Sequence, residues 1–275
     1  MCPVPSTKRV ALWCWYHGGP FRGYQSQPVG PTVQDTVIAA LRQAGFSRTP
    51  VAASRTDLGV HARMQVLSMR VVEDVEPRDV AARLNAVLPP SVGVVMSRPV
   101  VDASFHAAWS ATGKTYRYRL ALADDPAWAP WSWRADVEEG SLREVLSLTV
   151  GTHDFAAFHD ASSARKPRTI YRVEVHRLGP SLLEVELEGA GFAKYMVRFL
   201  VGAAVDVARG EVALETFRTA LASGQRQRFT KAPAQGLVLW NVAYPFEVDP
   251  FSPEERAAGP LLPPGPPFES VRLTT

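Results

Sequence analysis

The spacing of apolar positions in the first hundred residues follows two repeats, one of two residues and one of 3.6. The first is typical of strands and the second of helices, and together they predict the order β-α-β-β-α-β. Thr32 and Asp35 have the spacing of an approximate capping box at a helix start, and Gly45 suits the helix end. The predicted elements are strands over 9–16, 51–54, 65–72 and 92–100, and helices over 32–45 and 77–88.

The second half of the chain repeats this order loosely. Over 114–121 and again over 182–188, apolar residues alternate with polar or charged ones, which is typical of strands with one buried and one solvated face. The apolar segment 192–209 predicts a long helix that ends at Gly210. The other predicted elements are a strand over 170–178 that forms a hairpin with 182–188, helices over 141–150 and 214–222, and a strand over 237–244.

Two successive β-α-β-β-α-β patterns predict an α+β protein built from two ferredoxin-like halves with a central cleft. The predicted boundaries are 8–105 for the first half and 106–246 for the second. The tail, 247–275, contains seven prolines. Because proline cannot donate a hydrogen bond to a strand ladder, we expect the tail to be an extended coat or a loose end.

Composition limits the class of protein more than it identifies a partner. With 46% hydrophobic and 21% charged residues, the chain of 275 residues is expected to be globular. Its net charge of +3 is too small to indicate a partner. Cys2 and Cys14 cannot build a disulfide framework, and the apolar run over 10–16 is too short for a signal peptide or a membrane span. We therefore expect a cytoplasmic protein without membrane association.

Several common kinds of site have no counterpart in the sequence. The six histidines form no His-x-x-x-His pair and have no neighbouring cysteine cluster, so no metal site is expected. No glycine-rich loop indicates a nucleotide cofactor, and no Gly-x-Ser-x-Gly elbow indicates a hydrolase. Neither a structural zinc nor a nucleotide cofactor is therefore expected.

The segment 55–59, Arg-Thr-Asp-Leu-Gly, is the strongest candidate for chemistry. Taken alone, Asp57 two residues before Gly59 is typical of a turn whose carboxylate caps backbone N–H groups. The segment also joins two predicted strands and is accompanied by Arg55 and His61. Catalytic residues concentrate in loops held by a rigid scaffold, so a catalytic carboxylate is the alternative to a plain turn.

Basic residues indicate a second feature, a surface for nucleic acid. One stretch within 165–177 is opposed only by Glu174, and a second within 226–231 contains no acid. Each stretch alone is typical of a solvated surface, whereas two of them together favour a groove that follows phosphates. The basic residues are Arg165, Lys166, Arg168, Arg172 and Arg177, then Arg226, Arg228 and Lys231.

Three residues of the second half have candidate roles beside these basic stretches. Tyr116 either packs in the core or stacks on a base, while Tyr118 is expected in the core. Arg198 lies within an apolar helix, where an unpaired charge would cost several kcal/mol on the general scale for buried ions. It therefore needs a partner, and Asp57 is a candidate carboxylate.

The chain resembles the tRNA pseudouridine synthase A family over about residues 10–244. The most specific similarity is the signature Ser-Arg-Thr-Asp-Leu-Gly-Val-His-Ala at 54–62. Further motifs follow in the order found in the family. They are Leu84-Asn85 with Leu88-Pro89, Phe105-His106-Ala107, the segment 114–118 (Lys-Thr-Tyr-Arg-Tyr), Gly151 with His153-Asp154-Phe155 and Phe158, Met196-Val197-Arg198, and the segment 232–237 (Ala-Pro-Ala-Gln-Gly-Leu).

The resemblance implies a pseudouridine synthase fold and an activity on tRNA. Members of the family isomerise uridines 38, 39 and 40 of the anticodon stem-loop, as homodimers and without a cofactor or metal. By position, Asp57 corresponds to the nucleophile, Tyr116 to a substrate-contacting tyrosine and Arg198 to the arginine that pairs with the aspartate. Arg55 corresponds to a residue implicated in base flipping. The remaining expected RNA contacts are His61, Arg165, Lys166 and Arg168.

Four positions depart from the usual family pattern. His17 replaces an aspartate, Tyr24 a tryptophan and Leu58 an alanine, while Ala108 removes the arginine that usually follows His-Ala. The sequence therefore predicts a tRNA pseudouridine synthase with Asp57 as nucleophile. The alternatives are a non-catalytic RNA-binding protein on the same scaffold and a pseudouridine synthase with a different RNA target.

Overall fold

The computed structural model describes residues 6–258 and 262–269, and its elements follow the predicted order in both halves. The chain divides into two units. One comprises Met1–Thr112 with Asn241–Pro263, and the other comprises Gly113–Trp240 with Pro264–Thr275.

The first unit begins with six elements that confirm the predicted β-α-β-β-α-β order. They are β1 (Thr7–Tyr16), α1 (Val33–Gln43), β2 (Val51–Ala52), β3 (His61–Val72), α2 (Pro77–Asn85) and β4 (Val92–Pro99). β1 pairs antiparallel with β3 on one side and β4 on the other. Because Ser68 lies opposite both Ala11 and Val51, β2 pairs with the far side of β3. The order β4-β1-β3-β2 is that of a ferredoxin-like sheet.

Helix α1 starts and ends as its sequence predicts. The Thr32 hydroxyl accepts a hydrogen bond from the Asp35 backbone N–H at 3.1 Å and donates one to the Asp35 carboxylate at 2.6 Å. Gly45, with a φ of +88°, stands just past the helix end. Between these signals, the residues that the helix buries are Val33, Val37, Ala40 and Leu41. The capping box therefore fixes the residue at which the helix begins.

The second unit contains the same order with short additions. Its elements are β5 (Gly113–Ala121), β6 (Trp133–Arg134), α3 (Glu139–Ser147), β7 (Gly151–His153), β8 (Arg168–Gly179), β9 (Leu182–Gly189), α4 (Met196–Ala208), α5 (Leu214–Ser223) and β10 (Leu237–Ala243). The strand order is β10-β5-β9-β8-β7, and β6 pairs parallel with β5. The first four of these strands again have the ferredoxin-like order, which confirms the predicted α+β class.

Helix α4 begins four residues later than the apolar pattern predicts. The pattern starts at Phe192, but Tyr195 has a φ of +63° and the helix starts only at Met196. Within the helix, a Cβ on Gly202 would lie 1.9 Å from the Thr230 carbonyl oxygen. Glycine there lets the segment that follows α5 pack directly on the α4 backbone.

The polar face of β9 was predicted to be solvated, and this prediction is wrong. Glu184 and Glu186 are buried, because Arg117 and Arg119 of β5 lie over them. Arg119 is fully buried, with its guanidinium 2.8 Å from the Glu184 carboxylate, and it donates to the Pro267 carbonyl at 2.6 Å. The alternation had correctly indicated two different faces. It could not show that the charged face is covered by charges of the opposite sign.

Part of the proline-rich tail is helical and packed, not extended. Helix α6 (Pro253–Ala258) starts with a capping box, in which the Ser252 hydroxyl accepts from the Glu255 N–H at 3.2 Å and the Glu255 carboxylate accepts from the Ser252 N–H at 2.9 Å. Proline suits the first helical position because no N–H bond is needed there. Phe251 is buried with its ring 5.6 Å from that of Trp13.

The buried ion pairs on β5 and β9 lead to a stability prediction. Arg119→Met should lower the free energy of unfolding by about 3 kcal/mol, because Glu184 keeps Arg117 but loses a second buried cation. Arg143→Met, which breaks an exposed pair with Glu139 on α3, should change it by less than about 0.5 kcal/mol. Urea denaturation followed by circular dichroism measures both free energies of unfolding. Equal losses in the two variants would contradict the claim that the buried pair stabilises the fold more than the exposed one.

Candidate active site

Asp57 lies at the first position of a tight turn between β2 and β3. The Val60 N–H donates to the Asp57 carbonyl at 3.1 Å, and Gly59 has a φ of +80° at the third position of the turn. A positive φ there is the mark of a type II turn. The side chain of Asp57 is half-buried and that of Arg55 is exposed. The turn interpretation thus describes the backbone correctly and is compatible with a catalytic carboxylate.

Two glycines that the sequence analysis did not single out enclose this turn. A Cβ on Gly18 would lie 2.1 Å from the Val60 carbonyl oxygen. Gly23 has a φ of +96°, and a Cβ there would lie 3.0 Å from the Thr56 carbonyl oxygen and 3.3 Å from the Asp57 carbonyl carbon. Only residues without a side chain let the 17–31 segment approach so closely. The available signal was a Gly-rich stretch directly after a predicted strand.

Buried polar groups anchor the backbone before the turn. The Tyr16 and Thr56 hydroxyls are 2.7 Å apart. The Gln65 side chain donates to the Ser54 carbonyl at 2.6 Å and accepts from the Ser54 N–H at 3.1 Å. The Tyr24 N–H donates to the Thr56 carbonyl at 3.0 Å. The residues that precede Asp57 are therefore fixed by three separate elements, which restricts the positions its carboxylate can take.

The predicted RNA contact His61 is buried at 1% exposure. Its Nδ1 accepts a hydrogen bond from the Gly18 N–H at 2.9 Å, so the ring holds the Gly18 segment against β3. His17 has its ring centroid 6.2 Å from that of His61 and 5.5 Å from that of Trp15. Burial lowers the pKa of His17 below its ordinary value. A direct contact between His61 and RNA stays a prediction.

In the second unit, Tyr116 and Arg198 are held by aromatic and backbone contacts. Tyr116 is 7% exposed and meets the edge of Phe192, with ring centroids 5.2 Å apart. The Arg198 Nε donates to the Ala232 carbonyl at 2.7 Å, and the Tyr118 hydroxyl donates to the next carbonyl, that of Pro233, at 2.8 Å. Tyr118 is fully buried, which confirms its predicted place in the core, and this burial raises its pKa. The pairing of Arg198 with Asp57 stays a prediction.

The first basic stretch is only partly available for RNA. Arg172 is bound to Glu174, Glu186 and Glu188, and Arg177 is bound to Glu139. Glu174 is the one acid within 165–177, but further opposing acids come from β9 and α3. Cross-strand neighbours of this kind cannot be read from local sequence.

The other three predicted RNA contacts of this stretch lie before or at the start of β8. Arg165 and Lys166 are exposed, and Arg168 is partly buried, which lowers its pKa. Arg165 pairs with Asp154 and donates to the Ser223 carbonyl at 3.1 Å. Arg168 donates to the carbonyls of Ala164 and Lys166 at 3.1 and 3.0 Å, which shapes the basic loop.

The described residues give little support for other classes of site. Across 6–258 and 262–269, no group of three or more His, Cys, Asp or Glu side chains is placed to hold a metal ion. In the same part of the chain, no helix combines the length and the apolar character needed to cross a bilayer.

Comparison with known proteins places the chain in a family. A family model described as tRNA pseudouridine synthase matches residues 146–245. The tRNA pseudouridine synthase A of Bordetella petrii is 38% identical over 87% of this chain and 92% of its own length. The enzyme of the same name from Methylibium petroleiphilum is 38% identical over 93% of this chain and 100% of its own length. That from Geobacillus kaustophilus is 36% identical over 86% of this chain and 95% of its own length. The chain belongs to the tRNA pseudouridine synthase A family.

This membership confirms the resemblance seen in the sequence and the pseudouridine synthase fold. It also identifies the chain as an enzyme of the isomerase class. Among solved structures, the archaeal box H/ACA sRNP Nop10-Cbf5 complex aligns with a TM-score of 0.34 and 14% identity, over 72% of this chain and 43% of that chain. A score this low carries no argument about the site.

The close approach of Gly18 leads to a prediction for this pseudouridine synthase. Gly18→Ala should lower the free energy of unfolding by about 1–3 kcal/mol and reduce pseudouridine formation, because its Cβ collides with backbone next to the turn. Gly19→Ala is the matched control, since a Cβ there meets nothing within 4 Å. Urea denaturation and a pseudouridine assay measure the two effects. Equal stability and equal pseudouridine formation in the two variants would show that the close contact between Gly18 and the Val60 carbonyl is unimportant.

The partly buried His17 leads to a prediction on pH dependence. Its pKa lies below 6.5 in the folded protein, so the unfolded chain takes up its proton first as the pH falls. The free energy of unfolding should therefore be fully retained above pH 6.5 and decrease below it, by less than about 1.4 kcal/mol per pH unit for one partly exposed group. His17→Gln should flatten the profile between pH 7.5 and 5. Parallel profiles from urea denaturation would contradict this.

Proposed function

We propose that the chain isomerises uridine to pseudouridine at positions 38, 39 and 40 of the tRNA anticodon stem-loop, with Asp57 as nucleophile. In this proposal it acts as a homodimer in the cytoplasm. The observation that carries it is the Asp57 turn, whose backbone is held by Gly18, Gly23 and Thr56 while its side chain stays partly exposed beside Arg55. Such a fixed carboxylate is what nucleophilic catalysis requires.

The proposed reaction begins with the target uridine flipped out of its stack, because its ring is inaccessible within the stem or loop. The Asp57 carboxylate acts as the nucleophile or base that lets the bond between N1 of uracil and C1′ of the ribose break. The uracil turns, and a new bond forms between its C5 and the same C1′. The C5 hydrogen leaves as a proton and N1 acquires one, so no group is lost and no redox partner is needed.

The other proposed residues act on the base and on the carboxylate. Tyr116, whose ring orientation is set by Phe192, stacks on the target base and assists removal of the C5 proton. Arg198 supplies the positive charge that holds Asp57 ionised, and its Nε bond to the Ala232 carbonyl orients the guanidinium for this task. Arg55 helps to flip the base, and Arg165, Lys166 and Arg168 bind RNA phosphates.

Substitution of the nucleophile tests the reaction. Asp57→Asn should lower the rate of tritium release from C5-labelled uridine in tRNA on the order of a thousandfold or more, the scale of loss for a catalytic residue. Asp74→Asn is the control, since Asp74 is exposed in a turn of the same unit. Equal release by wild type and Asp57→Asn would exclude the nucleophile role. No release by any of the three would favour a non-catalytic RNA-binding protein.

The position of the label then tests the target. Transcripts labelled only at uridines 38, 39 and 40 should release tritium, and transcripts labelled at all other uridines should not. Release from the second set alone would leave the chemistry intact but assign it to a different RNA site. Sedimentation of the enzyme at micromolar concentration tests the homodimer, and a monomer would exclude it.

A further inference from the structure

Tyr195 adopts an unusual backbone conformation in front of helix α4. Its φ of +63° is the one positive value at a residue other than glycine within 6–258 and 262–269. For a bulky side chain, this left-handed conformation costs on the order of 1–3 kcal/mol and persists only where surrounding contacts hold it. Such residues cluster at ligand-binding positions, so the contacts of Tyr195 are of interest.

Three cations converge on the Tyr195 ring. The ammonium nitrogens of Lys231 and Lys194 lie 4.3 and 4.9 Å from the ring centroid, and the guanidinium carbon of Arg198 lies 5.4 Å from it. The two ammonium groups are therefore at most about 9 Å apart, by the sum of their distances. Both lysine residues are exposed and Tyr195 is half-buried. The ring thus gathers two solvent-facing cations at one place.

The backbone on both sides of the ring is fixed. The Lys194 carbonyl accepts from the Asp160 N–H at 3.0 Å, and the Lys194 N–H donates to the Ser163 hydroxyl at 3.3 Å. Next to Lys231, the Ala232 N–H donates to the Arg198 carbonyl at 3.1 Å. The two lysines are therefore held near each other by main-chain contacts and not only by their flexible side chains.

Acidic residues do not balance this charge. The Asp160 carboxylate accepts hydrogen bonds from the Ser162 hydroxyl and N–H, which are the main cause of its lowered pKa. The charges of Lys194 and Arg226 lower that pKa further. One carboxylate near Lys194 and Arg226, with Lys231 gathered on the same tyrosine ring, leaves an excess of positive charge. Like charges held together favour the binding of an anion that neutralises them.

We propose that Lys194 and Lys231, gathered on the ring of Tyr195, bind backbone phosphates of the substrate RNA. Tyr195 is a positioning residue in this arrangement, because its ring holds both ammonium groups and also contacts Arg198 of the proposed catalytic set. Phosphates are the anions that an RNA strand presents at regular intervals, and lysine binds them as a point charge. This inference rests on the proposed function and adds a substrate contact to it.

The salt dependence of tRNA binding tests the two lysines, in an Asp57→Asn background so that no turnover occurs. Each of Lys194→Ala and Lys231→Ala should reduce the slope of log affinity against log salt by about 0.7–0.9. Equivalently, the loss of affinity between 50 and 200 mM salt should shrink by about threefold for each lysine. Arg143→Ala removes one positive charge near acidic residues of α3 and should leave the slope unchanged. Equal slopes in all variants would overturn the proposal.

Two substitutions separate the ring from its backbone conformation. Tyr195→Phe keeps the aromatic face and should retain the wild-type slope. Tyr195→Asn accepts a positive φ without a ring, so the lysines lose their shared contact and affinity at 50 mM salt should fall severalfold. Thermal unfolding checks that both variants are folded. Wild-type affinity of a folded Tyr195→Asn variant would exclude the positioning role.

Kinetics distinguish this inference from the proposed function. With Asp57 intact, Lys194→Ala should raise KM for tRNA several-fold and leave kcat unchanged, since the contact is equal in the ground state and the transition state. A decrease of kcat with KM unchanged would overturn the phosphate role. Activity in Asp57→Asn would instead exclude the proposed nucleophile, while the salt slopes of the lysine variants would still decide the phosphate contacts.

Discussion

The contact on which the candidate active site depends is the close approach of two glycine backbones to the Asp57 turn. Gly18 meets the Val60 carbonyl at a distance that no side chain would permit, and Gly23, with its positive φ, lies tightly against the backbone of Thr56 and Asp57. His61 reinforces the first approach by accepting from the Gly18 N–H. The 17–31 segment and the turn are therefore packed backbone against backbone within the first unit. The geometry of the turn is set by backbone packing, and the side chain of Asp57, the proposed nucleophile, projects from that turn.

The second unit differs from the first in that several charged side chains are buried in its interior. Arg117 and Arg119 cover Glu184 and Glu186 across β5 and β9, and Trp240 lies against Arg117 at 3.9 Å. These ion pairs neutralise the buried charges, but buried ion pairs in general add less to the free energy of unfolding than apolar packing of similar volume. What they do provide is a fixed alignment of β5, the strand that carries Tyr116, against its neighbour.

Much of the fold could be predicted because periodicity is a local property. The strand order of each unit follows from its β-α-β-β-α-β pattern, and the Thr32 capping box was correctly predicted to begin α1. Contacts between distant segments could not be predicted in the same way. The burial of Glu184 depends on a strand more than sixty residues earlier, and the delayed start of α4 depends on the conformation of Tyr195. For the site, the signature around Asp57 was visible, whereas the role of Gly18 appears only once the backbones are packed together.

The packing of Phe251 on Trp13 has a consequence for how the protein is made. Trp13 belongs to the central strand of the first unit, and Arg256 of α6 binds Asn241 and Asp249 in the same unit. The ribosome therefore makes residues 113–240 of the second unit before it supplies the residues that finish the first. During synthesis the first unit therefore remains incomplete, with Trp13 not yet covered by Phe251. Domains, by contrast, usually fold in order from the N-terminus. Docking of the part of the proline-rich tail that contains Phe251 and α6 is therefore expected to be the last step in folding of the unit that carries Asp57.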